Sequence, residues 1–238
     1  MSDGWFDERV AARYDESTGE EFEPAVIART VDLLAELAGD GPALELAIGT
    51  GRIAHPLAER GVAVHGIDIS RAMVARIRDQ SIGVTIGDIA TTRVDGTFSL
   101  VYLVFNTINN LTSQDAQVAC FRNAAAHLEP GGSFVIEVGV PDLQRLPPGQ
   151  TVVPFDVSDD HLGFDEYELV GQGMVSHHFS LVEGRWERAS VPFRYVWPSE
   201  LDLMAKLAGL SLRDRWSDWD RAPFTAASRK HVSIWTKS

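Results

Sequence analysis

The stretch ALELAIGTGRIA, residues 43–54, decides the fold. ALELAI (43–48) is a short buried strand by composition, and the GTGRIAHPLAERG that follows is a glycine turn opening a helix. Gly49 and Gly51 remove side chains where a ligand must approach the backbone, and the helix behind them turns a partly positive N-terminus toward the same place. A Gly-x-Gly turn alone is unspecific, since tight strand-to-helix connections need glycine anyway. Two acids sharpen it. Asp68 closes the next strand, VAVHGIDIS, seventeen residues after Gly51, where an α/β nucleotide site sets a carboxylate on ribose hydroxyls. Glu45 interrupts the first strand four residues before Gly49 and places another carboxylate near that crevice.

Outward from this turn the same texture repeats. Upstream, Val26, Ile27, Val31, Leu34 and Leu37 recur at helical spacing until Gly39, Gly41 and Pro42 stop the helix. Downstream, RAMVARIRDQ reads as a helix, VTIGD (84–88) as a short strand and FSLVYLVF (98–105) as a fully apolar one. DAQVACFRNAAAHLEPGG is a helix with a Pro-Gly-Gly stop, and SFVIEVGV (133–140) is the next buried strand. Apolar strands alternating with helices mark a parallel sheet covered on both faces. After Pro141 the pattern changes: TVVPF, DEYELV, MVSHHFSLV and WERASVPFRYVW have strand character with only Gly or acidic turns between them, so they pair antiparallel. PSELDLMAKLAGL returns to a helix, and SLRDRW and KHVSIW supply two last strands. The expected fold class is α/β: a doubly wound, mostly parallel seven-stranded sheet, with an antiparallel β cap inserted after the fifth strand.

Composition narrows the partners. The 238 residues are 45% hydrophobic and 23% charged, which excludes global disorder or a fibrous repeat. Acidic residues outnumber basic ones 34 to 21, a formal charge of −13. Such a chain is repelled by phosphate backbones and anionic membrane surfaces, so no nucleic acid and no membrane is expected as partner. Cys120, the single cysteine, sits in a helical run and reads as a buried structural thiol. No signal-peptide pattern opens the sequence and no apolar run approaches the roughly 18 residues of a membrane span. A cytoplasmic protein of a reducing compartment is expected.

ELAIGTGRIA, GIDIS, IGDIA and LEPGGSFVIEV, in that order and spacing across about residues 40–140, resemble the class I S-adenosylmethionine-dependent methyltransferases of small-molecule type. WFDERVAARYDE resembles their N-terminal helical lid, and the strands after 141 look like the cap of N-methyltransferases acting on nucleotide-linked amino sugars. The resemblance implies S-adenosyl-L-methionine as cofactor and a Rossmann-like core. Residues 1–140 would form lid helices and cofactor-binding core, 141–196 the cap over the substrate site, and 197–238 the helix and strands that complete the core. It further implies that the Gly49 and Gly51 backbone lies against the methionine part and Glu45 orders its amino end. Asp68 would take the ribose hydroxyls, Ile69 and Met73 would line the adenine slot, and Asp88 would accept the adenine amino group beside the Ile89 amide. Phe105 and Asn106 would border the sulfonium, and Tyr14 would bind the methionine carboxylate from the lid. Phe22 departs from the pattern, standing where a polar lid residue would strengthen that carboxylate contact.

Methyl transfer is an in-line displacement that needs an aligned, desolvated nucleophile. No metal constellation is visible: His177 and His178 are adjacent and face opposite sides of one strand. His177 shares a face with Val175, Phe179 and Leu181, taken as the cap's inner face, which makes it the candidate general base or substrate contact, with Asn106 beside the reacting atoms. Trp197, Trp216 and Trp219 offer an aromatic wall, and Arg194, Arg215 or Arg221 an anion contact. Asn109 and Asn110 either reach the site or only cap a helix. The leading function is transfer of a methyl group to N or O of a small-molecule acceptor, as in specialised metabolism. A nicotinamide-dependent oxidoreductase and a non-catalytic S-adenosylmethionine-binding regulator remain alternatives. The assembly is open between monomer and homodimer.

Overall fold

The structure, a computed structural model, describes residues 6–14 and 19–238. The elements in chain order are α1 (Glu8–Arg13), α2 (Pro24–Ala38), β1 (Ala43–Leu46), α3 (Ala54–Glu59), β2 (Val64–Asp68), α4 (Arg71–Val74), β3 (Gly83–Ile86), β4 (Phe98–Leu103), α5 (Gln114–His127) and β5 (Leu128–Gly139). They are followed by β6 (Val152–Val157), β7 (His161–Glu168), β8 (Gly173–Val182), β9 (Arg185–Arg194), α6 (Pro198–Leu207), β10 (Leu210–Trp216) and β11 (Lys230–Lys237). One seven-stranded sheet runs β10-β11-β5-β4-β1-β2-β3, and a separate four-stranded sheet runs β6-β7-β8-β9. In the large sheet β3, β2, β1, β4 and β5 are parallel, β11 alone reverses, and β10, antiparallel to β11, runs the same way as the other five. The small sheet is antiparallel throughout.

Alternation within the apolar strands builds two cores. Leu44 and Leu46, Val101 and Leu103, and Phe134 and Ile136 face α5 and α6, where Cys120, Phe121, Leu201 and Met204 meet them. Their neighbours Ala43, Leu100, Tyr102 and Val135 face α2 and α3 through Val31, Leu34 and Leu57. Burial on both sides is why the strands read as continuous apolar runs. Burial pushes the Cys120 thiol up to about 12, with the Asp88 carboxylate adding to it, so the group is an inert part of the first core. One expectation fails: RAMVARIRDQ forms a single helical turn, α4, capped by Ser70. Its three arginines and Asp79 give it too little apolar surface to extend a helix against the sheet.

The two sheets are joined by a buried polar knot. Arg194, at the end of β9, bonds Glu200 Oε1 of α6 at 2.8 Å and the Gln117 side-chain oxygen of α5. Gln117 Nε2 returns a bond to the Arg194 carbonyl at 3.0 Å, and Gln172 Nε2 reaches Glu200 Oε2 at 2.7 Å.

His231 on β11 is fully buried, with Nδ1 2.7 Å from Ser233 Oγ and no hydrogen-bond partner for Nε2 among the described residues. Burial, with the Arg215 charge acting in the same direction, pulls its pKa from 6.5 down to about 3. The folded state therefore binds fewer protons than the unfolded one between these values. The stability from keeping His231 neutral is present above pH 6.5 and is lost as pH falls toward 3, roughly 4–5 kcal/mol across the window. His231→Gln should flatten the acid limb of the stability–pH curve measured by urea unfolding. An unchanged slope between pH 6.5 and 3 would place the acid sensitivity elsewhere.

Candidate active site

The carboxyl ends of β1, β2, β4 and β5 face the small sheet across a cavity of about 670 Å³. Ala47, Gly49, Asp68, Ile69, Met73, Phe105 and Asn106 form its floor, and Phe6, Tyr14 and Glu21 border it from the N-terminal segment. Asp165, Tyr167, Met174, Ser176, His178 and Tyr195 form the cap side. Ligands of open α/β sheets bind at this end of the strands.

The glycine turn divides its labour. Gly49 has φ 59° and lies in the cavity wall, where an added Cβ would stand 3.5 Å from Met73 Cε and fill the space against the backbone. Gly51 has φ 82°, and a Cβ there would come within 2.9 Å of the His55 ring, so this glycine serves the packing of the helix start. Asp68 is 7% exposed and accepts the Gly49 amide on Oδ2 at 2.7 Å and the Ser70 amide on Oδ1 at 2.8 Å. Each carboxylate oxygen can accept more than one donor, so both can also receive a hydroxyl from the cavity.

Glu45 lies behind the turn. Its Oε2 accepts the Tyr102 hydroxyl at 2.9 Å, and burial raises its pKa to about 8 against the opposing pull of that bond and of Arg52. It borders a second, small cavity of about 30 Å³ together with Arg52, Thr50 and Tyr14. The Arg52 guanidinium lies 5.1 Å from the Phe22 ring centroid and 5.6 Å from that of Phe105, and donates to the Glu21 carbonyl at 2.5 Å. Tyr14 packs edge-on against Phe22 with ring centroids 5.5 Å apart. Phe22 thus replaces a polar contact with a platform that holds a cation. Arg52 was missed from the sequence, although its position one residue past Gly51 was the available signal.

The end of β4 is strained. Phe105 and Asn106 have φ 56° and 57°, two successive non-glycine residues in the left-handed region, at a cost of roughly 1–2 kcal/mol each. Glu137 holds them there: Oε2 accepts the Phe105 amide at 3.1 Å, its carbonyl the Asn106 amide at 3.2 Å, and Oε1 the Trp219 indole at 3.1 Å. Asn106 Oδ1 accepts the Gly139 amide at 2.7 Å, so its side chain ties β4 to β5 at the cavity rim.

Several expected residues lie elsewhere. Asp88 Oδ1 caps its own turn through the Ala90 amide at 2.8 Å, and Ile89 is buried in the core; neither is in the cavity wall. His177 is on the outer face of the small sheet, its ring tilted against that of Phe164 at 4.9 Å and bonded to Ser190 Oγ at 2.8 Å. The parity was inverted because the cap's inner face borders a ligand cavity rather than a core. Along β8 the polar Ser176 and His178 face the cavity, and Phe179 sits outside with Arg188 5.8 Å from its ring. His178 is the histidine of the wall. Trp197, Trp216 and Trp219 make no wall, and the three arginines have other tasks: Arg194 in the knot, Arg215 on Asp202, Arg221 on Glu36 and over Trp216. Asn109 and Asn110 do line the cavity. Among the described residues no cluster of His, Cys, Asp and Glu could hold a metal ion.

The methyltransferase-domain family model matches residues 43–132, the segment carrying the glycine turn, Asp68 and the end of β4. The CcbJ methyltransferase of Streptomyces caelestis superposes with a TM-score of 0.88 at 34% identity, covering 100% of both chains. This chain is an S-adenosylmethionine-dependent methyltransferase. The cypemycin N-terminal methyltransferase of a Streptomyces species is 28% identical over 200 residues, 80% of this chain and 81% of that protein. The S-adenosylmethionine-bound CalS10, an amino pentose methyltransferase of Micromonospora echinaspora, shares the fold with a TM-score of 0.71 at 21% identity over 100% of both chains. Membership sets aside the oxidoreductase reading of the glycine turn. The residues present fit the cofactor of this methyltransferase: the Gly49 cradle would be filled by a Cβ, and Asp68 at the end of β2 borders the same space.

Proposed function

We propose that this methyltransferase acts on the amine nitrogen of a small molecule with an apolar body. The observation that carries the reading is the charge of the cavity wall. Among the described residues its charged side chains are the carboxylates Glu21, Asp68 and Asp165, and no Arg or Lys lines it. Phe155, Met174, Phe193 and Tyr195 supply apolar surface on the cap side. A negative, largely apolar pocket favours an ammonium and disfavours a phosphate or carboxylate. The name of the cypemycin N-terminal methyltransferase, an enzyme directed at an amine, supports the same class.

Bound S-adenosylmethionine supplies an electrophilic methyl group on a cationic sulfur. In this reading Asp68 binds the ribose hydroxyls, the Gly49 backbone lies along the methionine chain, and Ile69 and Met73 flank the adenine. Arg52, steadied by Phe22, and Tyr14 hold the methionine carboxylate, with Glu45 behind the turn at its amino end. Asp88 and Ile89 belong to the turn and the core. Phe105 and Asn106 shape the floor where the methyl group is presented, and the cap of residues 141–196 selects the acceptor and excludes water. Asp165 orients the acceptor ammonium.

The test is thermal stability of the protein saturated with S-adenosylhomocysteine. L-Phenylalaninamide and 2-phenylethylamine should raise Tm, approaching the shift for about 2.7 kcal/mol when present at 100 times Kd. Hydrocinnamate and 3-phenylpropanol, of similar apolar size, should raise it far less. A preference for the carboxylate or the alcohol would overturn the amine reading.

A further inference from the structure

On the inner face of the cap, four side chains form a continuous hydrogen-bonded line. Asp156 Oδ2 lies 2.5 Å from His161 Nδ1, His161 Nε2 lies 3.1 Å from His178 Nδ1, and His178 Nε2 lies 3.2 Å from Ser176 Oγ. Ser176 and His178 are in the cavity wall beside Asp165, the cross-strand partner of Ser176. The far end opens to water, with Asp156 46% and His161 25% exposed. The line therefore runs from the cavity to solvent.

With Asp156 ionised and His161 neutral, the donor and acceptor roles along the line follow. An ionised Asp156 can only accept, so His161 carries its proton on Nδ1. In the neutral ring His161 Nε2 is then an acceptor, His178 must donate through Nδ1, and His178 Nε2 is left with its lone pair toward the cavity. Ser176 Oγ lies 3.2 Å from that nitrogen and is also hydrogen-bonded to Asp165 of β7. A histidine would otherwise be free to choose its tautomer; here the choice is imposed from Asp156, two residues away along the line.

We infer that His178 is the base that removes a proton from the acceptor ammonium, with His161 and Asp156 as the positioning pair that directs the proton to solvent. The inference rests on the amine reading above. An ammonium has no lone pair and must lose a proton before it can attack. The proton passes from the acceptor nitrogen to His178 Nε2, directly or through the Ser176 hydroxyl, and the freed pair on nitrogen forms the new N–C bond while the methyl–sulfur bond breaks and its pair stays on sulfur. The acceptor enters with one positive charge and leaves, methylated, with one. The sulfur loses its charge, so one proton is released per transfer. The resulting imidazolium is stabilised through His161 by Asp156, and the proton leaves at the exposed edge.

Other groups around His178 agree with this. Burial lowers its pKa, and the neighbouring His161 and His177 lower it further, so the ring stays unprotonated near neutral pH. Asp165, the β7 partner of Ser176, is a carboxylate of the same wall whose pKa burial raises, and Ala189, the pair of His178 on β9, carries no charge. Glu21, Tyr14 and Asp68 face it from the opposite walls, and Tyr167 and Tyr195 from the cap.

Two measurements test it, one independent of any acceptor. Nitrogen-15 NMR of the imidazoles at pH 7 should show His178 neutral with its proton on Nδ1. In His161→Phe that proton should move to Nε2, and His161→Gln, whose amide oxygen can accept, should restore the Nδ1 form. His178 found with its proton on Nε2 in the wild type would overturn the assignment. The second is the pH profile of single-turnover methylation of L-phenylalaninamide. His178→Phe should lower the rate at pH 7 by about 100-fold, recover toward pH 9 as the amine deprotonates in water, and leave S-adenosylhomocysteine affinity unchanged. A variant profile parallel to the wild type would remove His178 from proton transfer. Absence of methylation by the wild-type enzyme on both probe amines would strike the amine reading first, and this inference would fall with it.

Discussion

Asp68→Ala is expected to weaken S-adenosylhomocysteine binding by about two orders of magnitude, roughly 2.7 kcal/mol. In the proposed role Asp68 makes two charge-assisted hydrogen bonds to the ribose, each of roughly 1.5–3 kcal/mol, which the variant would remove while water recovers part of the loss. Asp68 also holds the Gly49 and Ser70 amides, so some loss could arise from a loosened turn. A double cycle separates the two. The 2′,3′-dideoxy analogue of S-adenosylhomocysteine should bind the wild type much more weakly than the parent ligand, yet bind the variant almost as well as the parent does. Calorimetry on the four combinations reads the coupling. Zero coupling, with both ligands losing equally, would make Asp68 a support of the turn and nothing more.

Arg194→Ala is expected to cost about 3–5 kcal/mol of global stability, the range for removing one partner of a buried pair. Its side chain is 6% exposed and that of Glu200 is 14% exposed. Burial by itself would raise the Glu200 pKa, but hydrogen bonds from Arg194, Gln114 and Gln172 outweigh it and hold the group below its ordinary value. Because the folded pKa is the lower one, this stabilisation is present above the unfolded value of 4.5 and is lost as pH falls through the folded value. Deleting Arg194 strands the carboxylate among the two glutamines at the joint between the sheets. The double variant Arg194→Met, Glu200→Leu should recover most of the loss, since an apolar pair of similar volume removes both charges together. Urea unfolding of the three proteins measures this. A single-variant loss below about 1 kcal/mol would mean that water enters the joint and solvates Glu200.

The core was legible in the sequence because its signals are local. Continuous apolar runs at 43–48, 98–105 and 133–140 could only be strands buried on both faces, and the turn at Gly49 needed nothing but its neighbours to be read. Asp68 was legible for the same reason: a strand-terminal acid at fixed distance from the turn is a property of chain order. Arg52 had a local signal too, one residue past Gly51, but its task depends on Phe22 and Phe105, which come from distant segments. The error at His177 was of another kind. Adjacent residues on a strand face opposite ways whatever the fold, so the sequence limits the choice to 177 or 178; it does not say which face looks onto a cavity. On β8 the rule that apolar means inward failed, because that side borders a cavity and not a packed core.

By itself the sequence determined the α/β class, the position of the cofactor turn, the strand-end acid and the presence of a second, antiparallel sheet. Each follows from composition and spacing within some twenty residues. Tertiary structure alone decided that Asp156, His161, Ser176 and His178 meet in one line. It also decided that Glu137 clamps the strained end of β4 and that Arg194 is consumed in a joint instead of facing substrate. The physical reason is that side-chain hydrogen bonds form across paired strands and between layers. Their partners are set by register, by the bulge between Pro154 and Asp156, and by the packing of one sheet over another.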